Sequence, residues 1–322
     1  MARSANLAEG PEGVRQVLRT VFQGRAVPVR EVSKQIGLPL PVVSAVRREL
    51  EKLGILSRGK GIELTELGLK MVTDELGISC HRRFPRPDYP HLPSDFDNIL
   101  RQISKFCSDR PNIDRSLDQS HATSQTALRR AIYLYQNDGL EGRDIVILGD
   151  DDLTSLAISL LSKSLLLRTG KLMVLETDKR LVKYISETAK NHCLDVEVIS
   201  HDLRLPIPTE LKGQFDVFFT DPPYTLMGLN LFVSRGIEAL RPEIGKQGYI
   251  SFGRRTPDDA ATSIGALTDM GFAPLEIVPD FNLYEGSQML GGVSQMIRVV
   301  SGRPLNPRIQ GPYLDHLYTG SH

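Results

Sequence analysis

From residue 121 onward, short apolar runs alternate with longer stretches in which apolar residues recur every three or four positions. The runs at 144–149, 171–176, 194–199, 215–220 and 247–252 are continuous rather than alternating. That pattern predicts strands buried on both faces of a parallel sheet. Helices are predicted between them, at about 123–137, 153–167, 179–191, 229–240 and 258–270. Two further strands, 273–279 and 294–300, have no helix between them and predict an antiparallel hairpin. The expectation for 121–301 is an α/β domain with a mostly parallel sheet covered by helices.

The pattern ahead of it differs. Val14, Val17, Leu18 and Val21 recur at helical spacing, and Val29–Ile36 predicts a second helix. After Gly37-Leu38-Pro39, the residues Val42, Val43, Val46, Leu50 and Leu53 mark one face of a third. Two helices about a tight glycine turn predict a helix-turn-helix. Ile55–Leu64 predicts two short strands around a glycine turn, a β-wing, closed by a helix from about Thr65 to Leu76. Residues 1–78 therefore read as a winged-helix-like domain. Prolines 85, 87, 90, 93 and 111 break 79–120 into a linker with one helical segment near 94–107. Residues 302–322 carry no pattern and read as a C-terminal tail.

Composition narrows the partners. Lys plus Arg equal Asp plus Glu, 39 each, so no net charge draws the whole chain to nucleic acid or to anionic lipid. Cys80, Cys107 and Cys193 are sparse and lack metal-ligand spacing, which suits a reducing cytoplasm. No apolar run is long enough to span a bilayer, and no membrane association is expected.

The chemistry gathers at strand ends, where open α/β sheets bind their ligands. The first strand ends in Gly149-Asp150-Asp151-Asp152, where a glycine-rich turn would normally leave room for a nucleotide. The second ends in Glu176-Thr177-Asp178, the third is followed by His201-Asp202, and the fourth ends in Asp221-Pro222-Pro223-Tyr224. Glu176 at a second strand end suits the two hydroxyls of a ribose. Asp202 suits the exocyclic amine of an adenine, or else caps a turn. Asp178 binds an ammonium group or caps the helix that follows. Asp-Pro-Pro-Tyr holds a carboxylate and an aromatic face on a stiff backbone, suited to presenting a nitrogen nucleophile to a sulfonium carbon. Three aspartates beside the cofactor would repel the methionine carboxylate of S-adenosylmethionine. They would attract its decarboxylated form, which keeps only the ammonium, together with polycationic polyamine acceptors.

These residues identify a resemblance. Gly149-Asp150-Asp151-Asp152 paired with Asp221-Pro222-Pro223-Tyr224, behind a winged-helix-like domain, resembles the branched-chain polyamine synthases, the N4-bis(aminopropyl)spermidine synthase family of thermophiles. The stretch Leu117-Asp118-Gln119-Ser120-His121-Ala122-Thr123 fits it as well. The resemblance implies a Rossmann-like, S-adenosylmethionine-transferase-like fold. It implies transfer of aminopropyl groups to N4 of spermidine, once and then again, with methylthioadenosine released. On this reading Asp150 and Asp221 are catalytic, with Asp150 the proton acceptor. Gly149, Asp151, Glu176, Asp178 and Asp202 hold the co-substrate, while Asp152, Tyr224, Asp118 and Gln119 hold the polyamine. No metal and no prosthetic group is expected, and a homodimer is.

Two other readings stay open. Asp-Pro-Pro-Tyr also serves amino-methylation of nucleic acid, and residues 22–60 carry eight Lys or Arg against three Glu, with Arg47 and Arg48 on the predicted recognition helix. The acidic crevice opposes a phosphate backbone, so nucleic acid is an unlikely partner. A regulator that only senses a small molecule is the third class. The glycines at 286, 291 and 292 would let 280–292 close as a lid, or would suit a static loop.

Overall fold

In the computed structural model, the described residues are 10–57, 59, 61–84, 92–253, 256–285 and 292–317. The chain divides into two units, one made of 1–84 with 165–169 and the other of 85–164 with 170–322. The first unit thus extends past the expected boundary at 78 and recruits a short segment from the second half of the chain.

In the first unit, α1 (Gly10–Gly24), α2 (Val29–Ile36) and α3 (Leu40–Lys52) bury Val17, Leu18, Val21, Val32, Val43, Val46 and Leu50 in one core. Gly37 ends α2 in the left-handed region, the conformation glycine supplies at a helix C-terminus. Leu53, expected on the buried face, lies beyond the helix end and is exposed. The expected wing strands are reduced to single bridges, Leu56 with Leu64 and Val27 with Ile62. Arg58 and Lys60 of that segment lie outside the described residues. A one-turn helix, α4 (Glu66–Lys70), continues as a π-helical turn over Met71–Glu75.

In the second unit, the linker contains α5 (Asp97–Asp109), whose Ile99, Ile103 and Phe106 are buried. Its prolines 85, 87 and 90 lie outside the described residues. Then come α6 (Ser124–Gln136), β1 (Ile145–Leu148), α7 (Thr154–Leu165), β2 (Leu172–Glu176), α8 (Lys179–His192) and β3 (Glu197–Ser200). They are followed by β4 (Val217–Thr220), α9 (Leu226–Ala239), β5 (Gln247–Phe252), α10 (Pro257–Asp269), β6 (Phe272–Leu283) and β7 (Val293–Ser301). The sheet order is β3-β2-β1-β4-β5-β7-β6. The first five strands are parallel, while β7 runs antiparallel to both β5 and β6. The expected α/β domain and its closing hairpin are therefore present. Strands β1, β2 and β4 are buried at every residue, as continuous apolar strands between two helical layers must be.

The tail is not the featureless extension the sequence suggested. Tyr313 and Leu317 join the main core. The buried Arg235 of α9 donates to the carbonyls of Ile309 and Gly311, and the amide of Tyr313 donates to that of Arg204. Residues 318–322 lie outside the described residues. Among the described residues no helix is long and apolar enough to cross a membrane.

Candidate active site

The chain leaves β1 through Gly149 at φ +75, a conformation that side chains resist. Leu153 at φ +58 closes the turn. Between them lie three aspartates with different partners. Asp150 is buried and turns onto α7, where its Oδ2 accepts from the Ser155 hydroxyl at 2.5 Å and amide at 3.2 Å. The start of a helix favours such a carboxylate. Burial still pushes Asp150 up to about 8, helped by Asp152 and Glu176 and opposed by the Ser155 bonds.

Asp151 accepts from the Ser120 amide at 3.2 Å. Burial, and then the charges of Asp152, Glu176 and Asp221, hold it well above the carboxylate range. Asp152 is buried, accepts from the Ala122 amide and takes Arg130 Nη1 at 2.5 Å.

Arg130 ties this turn to β4. It projects from α6, fully buried, and its Nη2 lies 2.6 Å from Oδ2 of Asp221. Its Nε donates to Asn282 Oδ1 at 2.9 Å, and its guanidinium lies 5.1 Å over the ring of Phe219. Tyr284 donates to the same Asp221 oxygen at 2.6 Å, and the Tyr224 hydroxyl donates to Tyr284 at 2.7 Å. Burial raises Asp221 to about 7, against the pull of Arg130 and with the push of Asp152. The Tyr224 ring packs so closely on Gly253 that a Cβ there would sit 2.6 Å from it.

The end of the crevice at β2 is built on Glu176. Its Oε2 accepts from the Asp150 amide and its Oε1 from the Asp178 amide, both at 2.8 Å. Asp178 caps α8 through the Arg180 amide and pairs with the Arg180 side chain at 2.6 Å. The Gln119 amide group reaches Asp178 at 3.2 Å, and its oxygen accepts from the Asp114 amide at 2.7 Å. Asp118 sits beside it at φ +54, ending a short 3-10 turn. Asp202 stands apart: both its oxygens take the Arg204 side chain, down to 2.6 Å, and Oδ1 also caps the Arg204 amide. Six of the seven strand-end carboxylates are thus laced together, while Asp202 forms the turn cap that was the other reading of it.

Sequence reasoning missed Arg130, Tyr284, Asn282 and Ser155. The signal for the first was present. Arg129-Arg130 interrupts Ala127-Leu128 and Ala131-Ile132 on a helix with a buried face, and a buried charge demands a partner. His121 was noted only as part of a motif. Burial and the nearby Arg110 lower it to about 4, so it is neutral at physiological pH. On the other side of the ledger, Arg47 is tethered to Glu51 at 2.6 Å and to the Gly59 carbonyl at 3.1 Å, which occupies the side chain proposed for phosphate contact. Residues 286–291 of the candidate lid lie outside the described residues.

A parallel sheet with an antiparallel ending, carrying its acids at the carboxyl ends of the strands where such sheets bind ligands, defines a Rossmann-like α/β fold. Residues 98–310 match the family model for the branched-chain polyamine synthase A C-terminal domain. An uncharacterized protein of Methanocaldococcus jannaschii is 36% identical, over 99% of this chain and 81% of its own. The N(4)-bis(aminopropyl)spermidine synthase of Thermococcus kodakarensis is 32% identical, over 76% of this chain and 70% of its own. A mutein of the branched-chain polyamine synthase of Thermus thermophilus, crystallised with N4-aminopropylspermidine and 5'-methylthioadenosine, is 25% identical with a TM-score of 0.63. That match covers 98% of this chain and 94% of the other. The chain belongs to the branched-chain polyamine synthase family and is an aminopropyltransferase.

Proposed function

We propose that this chain moves aminopropyl groups from decarboxylated S-adenosylmethionine to N4 of spermidine, giving first N4-aminopropylspermidine and then N4-bis(aminopropyl)spermidine. The observation that carries the choice of donor is the buried aspartate turn where a glycine-rich loop would stand. Carboxylates there repel a methionine carboxylate and attract an ammonium. The acceptor is a polycation, which the same crevice favours.

In this reading Glu176 holds the ribose, and Asp178 holds the ammonium end of the co-substrate. Asp202 faces the adenine only by exchanging Arg204 for it. Asp152, Tyr224, Asp118 and Gln119 line the polyamine path. The N4 lone pair forms the new N–C bond in line with the breaking C–S bond, and the sulfur keeps that electron pair, leaving methylthioadenosine. N4 must lose a proton to attack, and a carboxyl raised towards neutrality by burial is a suitable acceptor. Asp221 stands next to Tyr224 and accepts the amine hydrogen bond. The sequence reading gave proton acceptance to Asp150. Asp150 is turned onto Ser155, so we assign the acceptor to Asp151 instead. The second transfer leaves N4 permanently charged, a product that the acidic crevice also favours.

The test is to incubate the purified protein with spermidine and either form of the donor, and to follow the polyamines by mass spectrometry. Gains of one and then two aminopropyl units from the decarboxylated donor, with methylthioadenosine released, are expected. Methyl transfer from intact S-adenosylmethionine to nucleic acid, with no branched polyamine, would overturn the assignment. A homodimer is the expected assembly, which light scattering checks.

A further inference from the structure

Arg130 has no part in the reading above, yet it is the most completely enclosed charge beside the reacting groups. Each nitrogen of its guanidinium has a fixed partner. Nε bonds Asn282, Nη1 bonds Asp152 and the Thr154 hydroxyl, and Nη2 bonds Asp221 and the Tyr284 hydroxyl. We propose that Arg130 is a positioning residue of the transfer step: its forked guanidinium occupies Oδ2 of Asp221 and opposes protonation of that carboxylate, so that Oδ1 is offered to the acceptor amine. This rests on the reading of Asp221 as the group that meets the amine.

Three features carry it. First, an arginine does not release its proton in a protein, so Arg130 acts through its neighbours and not as an acid or base. Second, two carboxylates share one cation, so the cluster keeps a net negative charge for a substrate ammonium. Third, desolvation offsets much of the attraction within a buried ion cluster, so stability is a weak account of three charges buried in this way. The groups facing Asp221 come from every side: Arg130 from α6, Asp151 and Asp152 from the turn after β1, Tyr224 from its own loop, and Tyr284 from the end of β6. Among them only Arg130 is a cation, and its charge opposes the upward push that burial and Asp152 exert on Asp221.

The experiment is a set of pH–rate profiles for single-turnover transfer by the full chain, using wild type, Arg130→Gln, Arg130→Lys, Asp221→Asn and the double variant Arg130→Gln/Asp221→Asn. Arg130→Gln is expected to slow transfer about 10- to 100-fold, as loss of a supporting partner does, and to move the acidic limb upward by about one pH unit or more. Arg130→Lys keeps the charge but not the fork, so the limb stays in place while the rate falls about tenfold. Added to Asp221→Asn, Arg130→Gln costs less than about threefold, because it acts through the group already lost. An unmoved acidic limb in Arg130→Gln, or losses that multiply in the double variant, would overturn the proposal. Near-wild-type turnover by Asp221→Asn alone would instead remove the reading beneath it, and the proposal with it. If Arg130→Gln does not fold, Arg130→Lys decides, since a wild-type rate there overturns forked positioning.

Discussion

Asp150 and Asp151 are neighbours on one turn and meet different partners. Asp150 gives its oxygens to Ser155 at the start of α7, while Asp151 meets Ser120 and feels the charges of Glu176 and Asp221. Asparagine keeps the size of each side chain and removes its ability to take a proton. Asp151→Asn is expected to leave the melting temperature near wild type and to lower kcat by about 10²- to 10⁴-fold, the usual worth of a proton acceptor. Asp150→Asn is expected to cost far less, because the Asp150 carboxylate is already engaged by the Ser155 hydroxyl and amide at the start of α7. Steady-state rates for the two variants decide this, and a larger loss from Asp150→Asn would restore it as the acceptor.

At the scale of elements, α9 packs on β4 just ahead of Asp221. Gly236 lies against the Phe218 ring, and a Cβ built there would stand 2.8 Å from it. Phe218 lies three residues ahead of Asp221 on a strand buried at every position. Gly236→Ala is expected to cost about 1–3 kcal/mol, the range for overpacking a filled core. The melting temperature should fall, and turnover should fall with it as β4 shifts. Calorimetry read beside activity checks this, and an unchanged melting temperature would mean that α9 relaxes freely. The same helix anchors the tail. Arg235 is enclosed, pairs with Glu238 at 2.7 Å and donates to four carbonyls, those of Leu203, Arg204, Ile309 and Gly311. Arg235→Met leaves Glu238 without that partner and is expected to destabilise by about 3 kcal/mol or more, measurable by chemical denaturation.

For the molecule as a whole, the buried acids tie stability to pH. Asp150 and Asp221 are raised by burial to about 8 and about 7. A carboxyl with a raised folded pKa holds its proton more tightly folded than unfolded. The stability this gives is complete below the unfolded value near pH 4 and is lost as the pH climbs through the folded value. The unliganded chain should therefore lose melting temperature as pH rises from about 4 towards 8. If spermidine occupies this site as proposed, its ammonium groups take the place of the lost protons, and a ligand of the folded state alone stabilises it. Its stabilising shift should be larger at pH 8 than at pH 6 by differential scanning fluorimetry, and an equal shift at both would mean that these carboxyls stay ionised throughout.

Continuous apolar runs, helical spacing and an acid at each strand end are local properties, and the sequence by itself determined those. It placed the strands and the helices of 121–301 to within a few residues and set Asp150–Asp152, Glu176 and Asp221 at the edge where ligands bind. Contacts across long sequence separations were decided only by the tertiary structure. Arg130 meets Asp221 from 91 residues away and Asn282 from 152. No spacing rule reaches that far, because packing of α6 against the sheet creates the meeting. The same holds for Tyr284 on Asp221, for the tail seated on Arg235, and for the direction in which each of three identical aspartates points. A turn can be read as acidic from its composition, but which of its oxygens face a substrate and which face a helix is set by the donors that the fold brings to each one.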